Sequence, residues 1–342
     1  MSPKTSNTLS AAFRLRSLAL SALVLPVLAA CGGSGGGGGS SSTLNLGITD
    51  GPIDSASSVV ISVTGVELQP SGGGKALTYD FGSPMNIDLL QDQNGKVSGL
   101  LSGVSVPAGN YQWIRLLLSV GSNGTVANSY IDINGAQYPL RIPSGAQTGL
   151  KLVQGFTLTA NQTANYTIDF MLAQSLSATA PPGQTSNGQQ VYFLVPAMRL
   201  LDDVQVGTIS GTVALSSLQS TAATGGGCLS GYTSGTSGPL PNAHVYIYSG
   251  QNATLTDVVN PPPAGHVNPV VASITYSSSA NTYTFDQPFL QAGSYTVAIA
   301  CGTDDPATSD VGNLVFLGAG GAKTTTGIDA TVTANQTTTV DF

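Results

Sequence analysis

From Thr43 onward, apolar residues come in short alternating or continuous runs broken by Gly, Asn, Pro and Ser, with no sustained 3.6-residue period. Period-2 alternation turns one face of an extended segment to a core and the other to solvent, so the pattern predicts strands throughout. In the first half these are Leu44–Thr49, Val59–Leu68, Ala76–Asp80, Asn86–Leu90, Tyr111–Val120, Ser129–Ile133, Gln137–Ile142, Lys151–Leu158, Ala164–Phe170 and Tyr192–Leu201. The second half adds Thr208–Ala214, Ala243–Ser249, Val270–Tyr276, Thr282–Asp286, Ser294–Cys301, Asn313–Leu317, Gly327–Val332 and Thr337–Phe342. Asp92-Gln93-Asn94-Gly95 and Asn134-Gly135 predict hairpin turns, because Asn and Gly accept positive φ. Ser216–Pro241 is rich in Ser, Thr and Gly and predicts a long loop; Asn260-Pro261-Pro262-Pro263 predicts another, stiffened as polyproline II. The expected fold is all-β: two tandem β-sandwich domains, 44–203 and 204–342.

The first 43 residues follow a different pattern. Met1–Arg16 carries Lys4, Arg14 and Arg16 and no acid, and Ser17–Ala30 is apolar, which is the charge-then-apolar order of a signal peptide over residues 1–30. It is shorter than the about 20 residues that a spanning helix needs. Leu28-Ala29-Ala30-Cys31 resembles a bacterial lipobox, which implies that Cys31 is acylated and becomes the mature N-terminus. Residues 31–43 are then a lipidated Cys followed by an almost pure Gly/Ser tether, a flexible coil with a reach of roughly 20 Å. Gly32 stands where an Asp retains such proteins at the inner membrane, so the resemblance implies the outer membrane, with the acyl chains as the membrane contact.

Two phrases recur about one domain apart. Thr159-Ala160-Asn161-Gln162-Thr163 leads to Asp169-Phe170, and Thr333-Ala334-Asn335-Gln336-Thr337 leads to Asp341-Phe342. Pro107-Ala108-Gly109-Asn110-Tyr111 echoes Gln291-Ala292-Gly293-Ser294-Tyr295. Each reads as a turn feeding a strand, and each Tyr is placed for a tyrosine corner, with the ring buried and the hydroxyl on a backbone carbonyl. Shared topology and convergent turn chemistry both account for the echo.

Two family resemblances follow from longer motifs. Gly207-Thr208-Ile209-Ser210-Gly211, then Pro239 to Tyr248, then Tyr283-Thr284-Phe285 and Leu290 to Val297 resemble carboxypeptidase regulatory-like domains, which implies a transthyretin-like β-sandwich over 205–342. Leu46 to Asp54, Ile87 to Leu90, Pro107 to Tyr111, Ile142 to Gly145, Gly149 to Leu152, Asp169 to Ser175 and Leu194 to Leu200 resemble a bacterial lipoprotein domain of unknown function over 43–203. Neither resemblance implies an activity.

Composition then narrows the chemistry. Only 8% of the 342 residues are charged, against roughly 25% in an ordinary soluble domain. The net charge is −7, and −10 (7 − 17) once residues 1–30 are removed, so nucleic acid is excluded as a partner. Glu67 is the sole Glu, and a paired-carboxylate hydrolase would have to be built from Asp. With Cys31 acylated, Cys228 and Cys301 form an even pair in an oxidising compartment and predict a disulfide; two free buried thiols are the alternative. His244, alternating with Val245, reads as a surface strand residue, and His266 follows the Pro-rich loop, which is too few imidazoles for a zinc centre. The G-x-S-x-G pattern falls only in the tether, at Gly32–Gly36, with no strand-to-helix context. Asp50 and Asp54 flank Gly51-Pro52, Asp202-Asp203 lies at the domain boundary, and Asp304, Asp305 and Asp310 follow a strand. The first pair is a candidate calcium site; Asx-turn bonding accounts for the same placement. Alternation along Tyr111–Val120 puts Tyr111, Trp113 and Arg115 on one face, either a ligand face or a second packed layer. No cofactor is implied. The expected function is non-enzymatic binding, adhesion or envelope scaffolding, with an unknown protein or glycan as ligand. A carbohydrate- or peptide-binding accessory of a surface uptake system is the alternative, and a hydrolase the third reading.

Overall fold

The computed structural model describes residues 40–53, 56–119, 128–143, 149–177, 191–219, 228–229, 238–259, 264–265, 267–277, 282–302 and 314–342. The signal peptide, Cys31, the tether up to Gly39, Asp54, the 260–263 loop, His266, Asp304, Asp305 and Asp310 lie outside the described residues. Among the described residues no helix is long and apolar enough to cross a membrane.

Strands dominate the described residues and are arranged in three sheets. Sheet one has the order β13-β10-β1-β4, with β1 Ser41–Asp50, β4 Ser98–Pro107, β10 Thr163–Phe170 and β13 Met198–Asp202. In it β1 runs parallel to β10 and antiparallel to β4. Sheet two is built from β2 Ser58–Pro70, β3 Leu77–Asp88, β5 Gly109–Leu118, β6 Tyr130–Ile133, β7 Ala136–Arg141, β8 Leu150–Leu152, β9 Phe156–Leu158, β11 Leu176–Ser177 and β12 Tyr192–Leu194. Its spatial order is β11-β12-β7-β6-β2-β5-β8, with β3 also on β2 and β9 also on β5. Sheet three contains the remaining strands: β14 Val206–Val213, β15 Gly238–Ser249, β16 Val270–Ser277, β17 Thr282–Gln291, β18 Gly293–Cys301, β19 Val315–Leu317, β20 Ile328–Val332 and β21 Thr337–Thr339. Its order is β19-β18-β15-β16-β17-β14-β21, with β20 also on β18. This sheet coils until its ends meet: a Cβ on Gly207 of β14 would stand 2.8 Å from Val332 Cγ1 of β20. Two adjacent backbones that close leave room only for Gly.

The cores follow from alternation. Leu44, Leu46 and Ile48 of β1 meet Ile61, Val63 and Val66 of β2 between sheets one and two, while Ile209, Val245, Val297 and Phe342 fill the coil of sheet three. Burying each such side chain contributes about 1.5–3 kcal/mol. The first cluster does not stop at sheet two. Tyr246 and Tyr248 of β15, Val271 of β16 and Ala300 of β18 belong to it, because residues 243–248 are buried on both faces of β15. Inward positions Ala243, Val245 and Ile247 enter the second cluster, and the alternate aromatic positions enter the first.

Several local expectations need correction. Ala76–Asp80 and Asn86–Leu90 are one strand, β3, in which Phe81–Pro84 bulge out between the pairs Gly65↔Asp80 and Val63↔Met85. Gly82 takes φ 74° there, so the Gly82-Ser83-Pro84 break in sequence is absorbed as a bulge. β4 was not expected, since SGLLSGVSVP is half Gly and Ser; pairing with β1 and burial of Leu100, Leu101 and Val106 hold it. Asn94 and Gly95 do take φ of 53° and 83°, but the turn carries the chain from sheet two to sheet one and closes no hairpin. Asn134 and Gly135, at φ 55° and 80°, do close the two-residue hairpin of β6 and β7. The 216–241 loop is shortened at both ends, by the helical turn Leu215–Leu218 and by the start of β15 at Gly238.

Candidate functional site

The strand Tyr111–Val120 carried the candidate ligand face, and the structure divides that face. Gln69 pairs with Trp113 but Pro70 pairs with Tyr111, so Gln112 is an extra residue in β5. Such a bulge reverses the side-chain alternation across it. Tyr111 therefore leaves the Trp113 face: it is only 3% exposed, its ring stacks on Phe156 at 5.0 Å, and its hydroxyl donates to Pro107 O at 2.6 Å. Trp113 and Arg115 do share the outer face and are joined there by Lys151 of β8, directly opposite Arg115. The two cations stand 4.7 and 4.6 Å from the Trp113 ring centroid. Arg115 also pairs with Glu67 at 3.0 Å. The π surface that would stack a ligand is thus already engaged by the protein's own cations. Lys151 and Glu67 were not expected there, because strand partners 36 and 48 residues from Arg115 carry no local signal.

Cys228 and Cys301 are joined in a disulfide with a Cα–Cα distance of 4.6 Å. It ties the 216–241 segment to the end of β18 and closes a loop with a sequence separation of 73, a constraint of roughly 4 kcal/mol in the chain-entropy description.

Asp50 points inward at the end of β1. Its Oδ1 accepts the Leu172 N–H at 2.9 Å, opening the 3-10 turn Leu172–Gln174, and its Oδ2 has no protein partner. Burial, together with the neighbouring Asp169 and Asp92 carboxylates, raises its pKa well above the usual carboxylate range, and the Leu172 and Gly51 N–H groups only partly oppose this. Asp169 is paired across the ladder with Arg199 at 2.6 Å. Among the described residues no three His, Cys, Asp or Glu side chains are grouped to hold a metal, and Asp54 lies outside them.

His244 is not a surface residue. It is 4% exposed, opposite Ser273 of β16 and Ala300 of β18, and burial lowers its pKa to about 4. Alternation with Val245 suggested exposure, but the other face of β15 is covered by the first core. Ser273 Oγ reaches across to Gln93 Oε1 at 3.1 Å.

Two clefts flank Tyr166 of β10 where sheet one meets β14 and β17. One, of about 470 Å³, lies between Gln154, Phe156, Asp202, Gln205 and Gln291; the other, of about 320 Å³, lies between Asn45, Asn165, Val97, Asp203 and Phe289. Asn45 Nδ2 donates to Asn165 Oδ1 at 2.8 Å, and Asn45 Oδ1 accepts the Gly103 N–H at 2.7 Å. Asp203 Oδ1 is buried without a protein partner. None of these residues was marked by sequence reasoning except Asp202-Asp203; outward-facing Asn at matched positions of paired strands was the only available signal.

Residues 41–196 match the family described as "Domain of unknown function (DUF4382)". That match agrees with the family resemblance of the first half in its coarse form and leaves 204–342 outside it. No curated protein matches the chain. Among solved structures, a leucine-rich repeat protein from Bacteroides thetaiotaomicron aligns at 12% identity over 89% of this chain and 26% of its own, with a TM-score of 0.22. The chain thus spans about a quarter of that protein's length. A protein from Bacteroides ovatus described as an adhesin aligns at 9% identity over 82% of each chain, TM-score 0.19. GBS52, the minor pilin of Streptococcus agalactiae, aligns at 9% identity over 87% of this chain and 94% of its own, TM-score 0.17. Superpositions at these scores do not amount to a common fold.

Proposed function

We propose that this chain is an outer-membrane-anchored lipoprotein with a non-enzymatic role in binding, adhesion or envelope scaffolding. Cys31 is the anchor in this reading, and the Gly/Ser tether, which ends where β1 begins at Ser41, spaces the folded body from the bilayer. The observation that best supports the non-enzymatic part is the hydrophobic cluster running without a break from Leu44 of β1 to Ala300 of β18. A body joined through its core holds a fixed surface instead of opening and closing on a substrate. The titratable side chains fit the same reading. His244 is buried and held neutral, Asp169 is neutralised by Arg199, and Asp50 serves a structural turn.

Fractionation of cells expressing wild type and Cys31→Ala tests the anchor. Wild type is expected in the outer-membrane fraction and Cys31→Ala in the soluble fraction; a membrane-bound Cys31→Ala overturns the anchor. Protease treatment of intact cells, with a lysed control, then assigns the face. Digestion on whole cells favours adhesion, and protection until lysis favours scaffolding within the envelope.

A further inference from the structure

The backbone at Phe289 is the starting point. Phe289 has φ 60° inside β17, a conformation that a bulky L-residue keeps only where the surroundings impose it. It belongs to a two-residue bulge: Gly207 of β14 pairs with Leu290 and Ile209 pairs with Gln287, leaving Pro288 and Phe289 opposite Thr208. Sheet one solves a comparable problem with glycine. Its β1–β4 ladder slips between Leu44 and Leu46, and the left-handed position opposite is Gly103 at φ 64°. Glycine suffices for the bulge, so the aromatic ring must serve something other than the backbone.

The ring lines the 320 Å³ cleft, against Asn45 and Asn165 of sheet one and the carboxylate of Asp203. The Tyr166 ring lies on the other face of sheet one, in register with Leu46 and 5.4 Å from Phe156, so the 470 Å³ cleft opens on the opposite side of that sheet. Both volumes fall in the roughly 300–1,000 Å³ range of ligand clefts. Side-chain amides and carboxylates dominate the polar lining, and among the described residues neither cleft is lined by Lys or Arg. One lining atom lacks any bond within the protein: Asp203 Oδ1 is buried and unpartnered. A buried acceptor left open is unfavourable unless a ligand or water meets it.

We propose that the Phe289 cleft binds a neutral oligosaccharide. Phe289 offers apolar ring surface to sugar C–H faces, and Asn45, Asn165, Thr167 and Asp203 offer hydrogen bonds to hydroxyls. Acidic glycans are repelled by Asp203. An extended peptide is a poorer fit, since the groove runs over side chains of β1 and β10, the two inner strands of sheet one, and presents no free strand edge to pair with a backbone. This inference rests on the binding reading above and assigns it a site and a ligand class.

The test is calorimetric titration of the purified full chain with maltohexaose, cellohexaose, mannohexaose and chitohexaose, alongside a hexapeptide of alternating Ser and Ala. Wild type is expected to bind at least one hexasaccharide and not the peptide. Phe289→Gly is expected to weaken that binding by about tenfold or more without lowering the melting temperature, because relief of the left-handed strain offsets the lost ring contacts. Asp203→Asn, which keeps the side-chain shape, is expected to weaken it as well. Binding that survives both substitutions but is lost in Trp113→Ala overturns the groove and moves the ligand to the outer face of sheet two, leaving the binding reading intact. Peptide binding in place of saccharide binding overturns the ligand class. No binding to any of the hexasaccharides overturns the proposal, while the fractionation result for Cys31→Ala stands or falls separately.

Discussion

Tyr111 and Tyr295 make the same hydrogen bond in different sheets. Each hydroxyl donates to the carbonyl oxygen four residues earlier, Pro107 at 2.6 Å and Gln291 at 2.7 Å. Each ring is buried just after an Ala-Gly turn. The backbone bonds around them match too: Asn161 N–H donates to Ser41 O and Asn335 N–H to Val206 O, both Asn residues at φ 58°. The recurring phrases are therefore one local architecture used twice. Each corner lets the chain leave the partner of β1 or β14 and enter the strand that carries the Tyr.

Tyr111→Phe and Tyr295→Phe are each expected to cost about 1–2 kcal/mol, because the ring stays packed while a carbonyl loses its donor. Equilibrium urea unfolding should show lower midpoints with unchanged slopes, and the two losses should be similar.

Asp50→Asn is expected to stabilise the protein at pH 7, by about 1–3 kcal/mol, since it keeps an acceptor for Leu172 N–H and removes a buried charge beside Asp92 and Asp169. The sign follows from the raised folded-state pKa. The acid's favourable contribution is complete below the unfolded carboxylate pKa near 3.9 and is lost as pH rises through the folded value. The advantage of Asn should therefore shrink as the solution is acidified. Melting temperatures of both proteins between pH 3 and 8 check it.

His244 acts in the opposite direction. Its folded pKa is about 4 against 6.5 unfolded, so the unfolded chain takes up a proton first as pH falls. Stability should decline through that window by about 3 kcal/mol and level off below it. Subtracting the pH profile of His244→Gln from that of wild type isolates this slope from the Asp50 contribution.

Replacing both Cys228 and Cys301 with Ala is expected to lower stability by roughly 3–4 kcal/mol. Alkylation of the denatured, unreduced protein should leave both unlabelled, and reduction should expose them together.

Trp113 is the only Trp, so its fluorescence reports one site. Lys151→Ala should shift its emission to longer wavelength and cost about 0.5–1 kcal/mol, because a cation leaves the ring and water replaces it.

Particular residues show what the sequence revealed. Alternation in β1, β2 and β18 was sufficient to mark them as strands, and the Asn161 and Asn335 turns were visible as repeats. What the sequence concealed depends on partners. Tyr111 changes faces because the register of β2 against β5 inserts Gln112, and that register is written in two strands at once. His244 is buried because a second core covers a face that its own strand pattern leaves open. The groove assembles Asn45, Asn165, Asp203 and Phe289 from four strands and connections, and only Phe289 carries a local oddity, one of dihedral angle that composition does not record.

The parallel pairing of β14 with β21 has a mechanical consequence. Thr208, Ile209 and Ser210 lie beside Thr337, Thr338 and Thr339 in the same direction, so the chain enters at one end of this ribbon and Phe342 lies at the other. Tension between Val206 and Phe342 acts along the ribbon, and the bonds from Asn335 N–H to Val206 O, Thr208 N–H to Gln336 O, Val340 N–H to Ser210 O and Phe342 N–H to Thr212 O stretch together in shear. None can be unzipped before the others. Sheet three is thereby built to resist extension between these two points more strongly than its equilibrium stability alone would suggest.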